Sequence, residues 1–371
     1  MWLALRRAIA LAELSGISRV PKPQHDDSNQ EKSSEDSDVW EAICATDRNC
    51  SMMFNLPAGT ASYSFPNEME LMSHGRPNPK IYNYHLANIC LKIHNLDESY
   101  RLERSDIQTY ADVLRTDDDL RSLATKIPSS WWESYRSMPL AEQLIQFWHH
   151  YLITRVHLRH AIKDDPEGRF VYSQNRCLKG CRESIQRFLV LRRFLPMEFF
   201  ICRVVDIQTC TMCILLLLLQ SRVVTNTASQ PHCQLVDQVV HILQGIPHSP
   251  TAQEAAEAIA SFRSFIEGTQ VGTQDTSLTL RIPLLGKIEV KLSQYQGAES
   301  QDAAADVEMS HQRGYRRDQQ ANQADQSQMP STDTMPSGVD LPWTLDFEAS
   351  SLSWMDDFWN NELFSQDAGQ I

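Results

Sequence analysis

From residue 81 to residue 267 the apolar side chains return every third or fourth position over most of the chain, and only at residue 278 does the spacing fall to two. A 3.6-residue period places one apolar stripe along a helix, and such stripes are buried by packing helix on helix. The pattern is clearest over 139–163. There Leu140, Leu144, Phe147, Trp148, Tyr151, Leu152 and Val156 repeat behind Pro139, a residue suited to a helix start. Residues 170–194 repeat it with Cys177, Leu178, Cys181, Ile185, Phe188, Leu189 and Leu191. Residues 198–223 are apolar nearly all round, which marks the most buried helix. The run Met212–Leu219 inside it is shorter than the ~20 residues of a membrane span, so no membrane is expected.

Other segments fit the same plan. Leu5, Ile9 and Ala12, widened by Leu3, Ala10 and Leu14, give a first amphipathic helix with Gly16 as its stop. Residues 21–38, rich in Ser, Asp, Glu and Lys, read as a disordered surface loop. A second helix covers 39–56 and ends at Pro57-Ala-Gly59. Pro66, Pro77 and Pro79 then make an irregular connection. Residues 81–115 read as a long helix with a second piece from Ser105, and Asp117-Asp118-Asp119 as the start of another, because acids favour the N-terminal end of the helix dipole. Pro128 and Trp131-Trp132 mark a turn into an aromatic site, and 231–245 and 251–267 are two further helices. Leu278, Leu280 and Ile282, then Ile288, Val290 and Leu292, alternate as a short β-hairpin with a turn near Gly286. The fold class is all-α: a multi-helix domain over 1–294 with a small terminal hairpin, a disordered linker over 295–338, and a tail over 339–371.

The tail is chemically distinct. From Asp318 to Ile371 the chain has ten acids and no Lys or Arg. Of the net charge of −13 this stretch supplies −10, which leaves a near-neutral body without a basic stripe for nucleic acid. Trp343, Phe347, Trp354, Phe358, Trp359 and Phe364 sit among those acids. Acids interleaved with bulky apolar groups make an activation-type segment. On an induced helix Trp354, Phe358 and Trp359, with Met355 and Leu363, would lie on one face for a partner's groove. A segment loosely docked on the chain's own core is the other reading.

Catalytic and metal patterns are missing from the sequence. It has no Gly-rich phosphate loop, nucleophile elbow, H-E-x-x-H or EF-hand pattern. Nine cysteines, an odd number, argue against a disulfide framework and for a reducing compartment. Cys210-x-x-Cys213 and Cys177/Cys181 read as core packing, with no nearby His or Cys to complete a tetrad. The adjacent His149-His150 cannot chelate as a helical pair, and His157/His160 lack a third ligand. The basic groups Arg155/His157/Arg159/His160/Lys163 and Arg187/Arg192/Arg193 read as solvated helix faces. Asp47-Arg48, set amid Ile43, Cys44, Met52 and Met53, reads as a buried structural ion pair or capping contact that needs partners. No enzyme activity, cofactor or metal is expected.

The order of these elements resembles the middle homology domain of fungal zinc-cluster transcription factors. Trp2-Leu-Ala-Leu-Arg-Arg-Ala-Ile-Ala-Leu-Ala, with Leu14, Gly16, Ile17 and Arg19, is similar to the family's A-I-x-L-A-x-x-L-G-L-x-R helix. Val39-Trp40-Glu41 through Asp47-Arg48 to Leu56-Pro57-Ala-Gly59 resembles its W…DR…S…G-x-P segment. Gln143 to Leu152, Cys202 to Asp206, and Ile282 to Gly286 also resemble family elements, over about residues 1–292. The resemblance implies a nuclear regulator of RNA polymerase II genes, possible pairing with itself or a related regulator, and recruitment of transcription machinery or a co-activator through the tail. Family members begin with a six-cysteine zinc cluster, and no position here matches it. Direct DNA binding and zinc therefore have no residue to carry them, and a non-DNA-binding modulator that pairs with a full-length regulator is the alternative.

Overall fold

A computed structural model describes residues 2–19, 30–65, 70–73, 75–102, 105–163, 165, 167–194, 200–223, 230–270, 277–282 and 286–291. The architecture is all-α, with ten helices and two small strand pairs among the described residues. The linker and tail expected over 295–371 lie outside them.

Helix α1 (Trp2–Leu14) buries Leu5, Ile9 and Ala12 as its spacing requires. Gly16 follows at φ +82°, a left-handed position that stops the helix and suits glycine. The apolar face is narrower than expected: Leu3, Ala10 and Leu14 point to solvent, Leu14 at 85% exposure. Helix α2 (Gln30–Phe54) begins inside the expected loop, since residues 30–38 are helical. Gln, Glu and Lys are good helix formers, so a polar composition there does not by itself mark a loop. Asn55, at φ 50°, is the left-handed residue that ends α2, two positions ahead of Pro57.

A two-residue ribbon, β1 (Met72–Ser73) with β2 (Arg76–Pro77), interrupts the proline-rich connection. Helix α3 (Pro79–Arg101) starts with Pro79 behind Asn78, whose side chain accepts from the Lys80 and Ile81 amides. Helix α4 (Asp106–Thr125) runs unbroken through Asp117-Asp118-Asp119, so the acidic triplet does not start a helix. Asp117 is fully buried, and its interior partners override the dipole preference.

Helices α5 (Ser129–Glu133), α6 (Leu140–Ala161), α7 (Val171–Leu191), α8 (Phe200–Val223), α9 (Gln230–Gln244) and α10 (Pro250–Gln270) follow. Strands β3 (Ser277–Ile282) and β4 (Gly286–Lys291) pair antiparallel, Ile282 opposite Gly286, as the alternation predicts. An 18-residue stretch of α8, Arg203–Gln220, is long and apolar enough to cross a membrane, yet 78% of it is buried inside the helical body.

Two apolar clusters organise the packing. The larger joins α3, α4 and α6 to α10, with Phe147, Ile185, Phe188, Leu216 and Phe262 fully buried. The smaller joins α1 and α2 to α3 through Ile9, Trp40, Cys44, Phe65 and Tyr84. Helix α3 gives Tyr82, Leu86, Ile89 and Ile93 to the first and Ile81, Tyr84 and Ala87 to the second.

The α6–α7 crossing depends on Gly180. A Cβ there would stand 2.5 Å from Thr154 Oγ1 and 3.0 Å from the His150 carbonyl oxygen. Gly180→Ala gains about 1 kcal/mol of helix propensity. It must also push two backbones apart, at about 1–3 kcal/mol. The expected net result is a lower midpoint in a thermal melt; a higher one would mean that the helices are not in close contact here.

Candidate functional site

The most connected polar cluster lies between α4, α6 and α7. Tyr172 donates its hydroxyl to Asp117 Oδ2 at 2.6 Å, and Arg176 donates Nε to Oδ1 at 3.1 Å as well as a second nitrogen. His157 Nε2 lies 3.3 Å from Oδ1 and Arg121 Nε 3.4 Å from Oδ2. Burial opposes ionisation of Asp117, but the hydrogen bonds from His157, Arg176 and Tyr172 outweigh it and hold the carboxyl well below the usual range. His157 and Asp117 pack there because residues 153, 156, 157 and 160 share one inward face of α6.

The far ring nitrogen of His157, Nδ1, is 2.9 Å from Ser173 Oγ. Serine, imidazole and carboxylate thus stand in line, the residue types of a nucleophile, its base and an orienting acid. All three side chains are fully buried. A nucleophile must touch its substrate, so this line serves as a clamp between helices. Beside it, burial pushes His160 down to about 4, with Lys163 adding to the effect. Its ring hydrogen-bonds Tyr100 at 3.1 Å and packs on Tyr110. His157 and His160 therefore face the interior with polar partners, and no group of three residues among those described could hold a metal ion.

A second knot fixes α1, α2, α3 and the loop at 57–65. Asp47 accepts from the Thr60 amide at 2.8 Å and its hydroxyl at 2.9 Å, and pairs with Arg6 of α1 at 3.4 Å. Arg48 donates to the Thr60 carbonyl at 3.2 Å, the Tyr63 carbonyl and Asn88 Oδ1, with its guanidinium 4.9 Å over the Phe65 ring. Adjacent residues on a helix face different ways, and each of this pair finds its own distant partners. Asp47 makes its ion pair with Arg6, and Arg48 donates to carbonyl and amide oxygens.

The Trp131-Trp132 site is a packed junction. Trp131 donates Nε1 to Glu142 at 2.6 Å, and Gln146 donates to the Trp131 carbonyl at 2.7 Å. Arg187 reaches Gln146, Glu183 and the Trp132 carbonyl. Burial lowers His149 to about 3, and its ring hydrogen-bonds Tyr82 at 3.0 Å. Arg187 and Arg192 are buried, the latter 3.0 Å from the buried Asp206, whose carboxyl burial raises to about 7. The basic clusters on α6 and α7 are thus partly internal: Glu183, one turn back, receives Arg187, and Asp206 of the next helix receives Arg192.

Cys177, Cys181, Cys210 and Cys213 are fully buried as core residues. Packing of α7 on α8 does bring Cys213 within electrostatic range of Cys181, which the spacing does not reveal. Burial pushes the Cys210 thiol up to about 12, so it is inert as a nucleophile.

On the surface, a cleft of about 390 Å³ opens between the C-terminal end of α7, α9 and the turn at 135–137. Leu189, Val190, Phe194 and Leu235 give its apolar walls, with Arg136 and Arg193 beside them. Phe194 is 59% exposed. The tail residues Trp343, Phe347, Trp354, Met355, Phe358, Trp359 and Leu363 lie outside the described residues. Sequence reasoning missed Asp117 as a hub and the cleft altogether.

No family model matches the chain, and no solved structure matches it. Curated proteins do. The chain is 28% identical over 219 residues to "Transcription factor sdnS" of Sordaria araneosa, over 55% of this chain and 28% of that protein. It is 25% identical over 222 residues to the "Dehydrocurvularin biosynthesis regulator" of Alternaria cinerariae, again 55% of this chain and 28% of that protein. It is 32% identical over 133 residues to "Transcription factor eupR" of a Phoma species, 35% of this chain and 28% of that protein. The matches span less than a third of these relatives' length. They fit the middle region of a fungal transcription factor.

Proposed function

We propose that this chain is the regulatory and activating part of a fungal transcription regulator that controls biosynthetic genes in the nucleus. The observation that carries the reading is similarity over more than 200 residues to proteins named as transcription factors and as a biosynthesis regulator. The all-α body is in keeping with it, since its buried polar groups are sealed into helix contacts rather than opened to a substrate. In this reading the body is non-enzymatic and pairs with another copy or a related regulator. The tail recruits transcription machinery through Trp354, Phe358 and Trp359, while its acids keep those rings soluble and speed encounter with basic rims.

The test is a reporter assay with the full chain fused to a heterologous DNA-binding domain. Deleting 339–371, or replacing Trp354, Phe358 and Trp359 together by Ala, should lower activation by about tenfold or more, because a few aromatic anchors dominate such contacts. Undiminished activation after the deletion would sink the tail's role. A gel shift of the chain alone, and then with a related regulator, separates direct DNA binding from action through a partner.

A further inference from the structure

The cleft at the end of α7 and the tail have complementary chemistry. Among the described residues, the cleft is lined by four apolar side chains, two arginines and two glutamines. The stretch 318–371 holds ten acids, six aromatics and no Lys or Arg. Phe194, a large ring left mostly in water, stands at the cleft's edge and offers a partner for another ring. The cleft volume of about 390 Å³ falls within the range of about 300–1,000 Å³ usual for ligand-burying sites. Strand β4 ends at Lys291. A coil of the roughly 60 residues from there to Ser351 would span about 40 Å, against a radius of gyration near 19 Å for a domain of roughly 290 residues. The tether therefore reaches any face of the body, at an effective concentration in the millimolar range.

We propose that the cleft formed by Leu189, Val190, Phe194, Leu235 and the guanidiniums of Arg136 and Arg193 binds the chain's own segment 351–364 in cis. Trp354 and Phe358, one helical turn apart, enter between the apolar walls, and Asp356 and Asp357 meet the arginines. The same rings cannot serve a co-activator while they are held there, so the body controls access to the tail. This rests on reading the tail as a segment that docks through its aromatics. The experiment below detects contact and not activation, so the two ideas can fail separately.

The full chain is made with p-benzoylphenylalanine in place of Gln238, an exposed residue lining the cleft, and irradiated as a mixture of light and heavy isotope-labelled copies. The expected result is a cross-link from position 238 to a peptide within 343–364 of the same copy, at a yield independent of protein concentration. Arg193→Glu should lower that yield by at least about threefold, and joining it to Asp356→Arg with Asp357→Arg should restore part of it. Circular dichroism and melting midpoints confirm that each variant folds. The same photoprobe at Ile107, 84% exposed on α4, is the control. Cross-links confined to the body, equal tail capture at Ile107, or tail cross-links only between light and heavy copies would each overturn the proposal.

Discussion

Arg48→Met should cost about 3–5 kcal/mol, the loss typical of removing one partner from a buried charged cluster. Arg48 is 1% exposed and spends its guanidinium on the Thr60 and Tyr63 carbonyls, Asn88 and the face of Phe65. Methionine fills much of the volume and replaces none of those donors. The buried Thr60 carbonyl then loses its donor, at about 1–3 kcal/mol, and the partly buried Tyr63 carbonyl and Asn88 amide oxygen lose theirs as well. Domains usually hold only about 5–15 kcal/mol in total, so the variant should melt much earlier or fail to accumulate. Asp47→Asn is the milder comparison. Its amide oxygen still accepts from Thr60 and only the Arg6 pair is lost, so a loss nearer 1 kcal/mol is expected for that partly exposed contact. Urea denaturation ranks the two, and equal losses would mean that Arg48 is not the organiser of the loop.

Asp117→Ala should be as damaging, at about 3–5 kcal/mol, because it strands the fully buried His157 and the half-buried Arg176 without their carboxylate and takes the acceptor from the Tyr172 hydroxyl. Its pH signature is more specific. The folded carboxyl is held below its unfolded value of about 3.9. The folded state thus binds fewer protons, and the ionised cluster contributes its full stability above about pH 4. That contribution is lost as pH falls through the depressed folded value, at up to about 1.4 kcal/mol per pH unit for the one proton. Asp117→Asn cannot titrate, so its stability should fall less steeply than that of the parent below pH 4. Denaturation midpoints from pH 2.5 to 7 read this directly, and parallel acid limbs would count against Asp117 as the titrating group.

Much of the helical plan was open to reading because each stripe is a local property. Leu140 to Val156 and Cys177 to Leu191 carry their period within themselves, and α6 and α7 follow it. What escaped was decided by residues far apart. Asp117 reads as a helix start until Arg176, 59 positions away, and Tyr172, 55 away, supply its hydrogen bonds. Arg192 reads as a solvated cation until Asp206 of α8 meets it. Residues 30–38 mislead in the other direction, since a polar segment can be helical when a neighbour gives it purchase, as Lys80 does for Asp38. Of the candidate sites, the sequence pointed to Asp47 and Arg48 because charge amid apolar residues demands partners. The cleft, made by three segments distant in the chain, leaves no local pattern.

The two faces of α3 have a mechanical consequence. Tyr82 and Leu86 close the larger core, while Ile81, Tyr84 and Ala87 close the smaller one that seats α1. One rod is therefore the common wall of two rooms. A force applied at α1 passes through Arg6 to Asp47 of α2 and to the loop at Pro57, and from α2 on to α3, which faces both cores. Whatever grasps α1 from outside works against the same helix that keeps the far side shut.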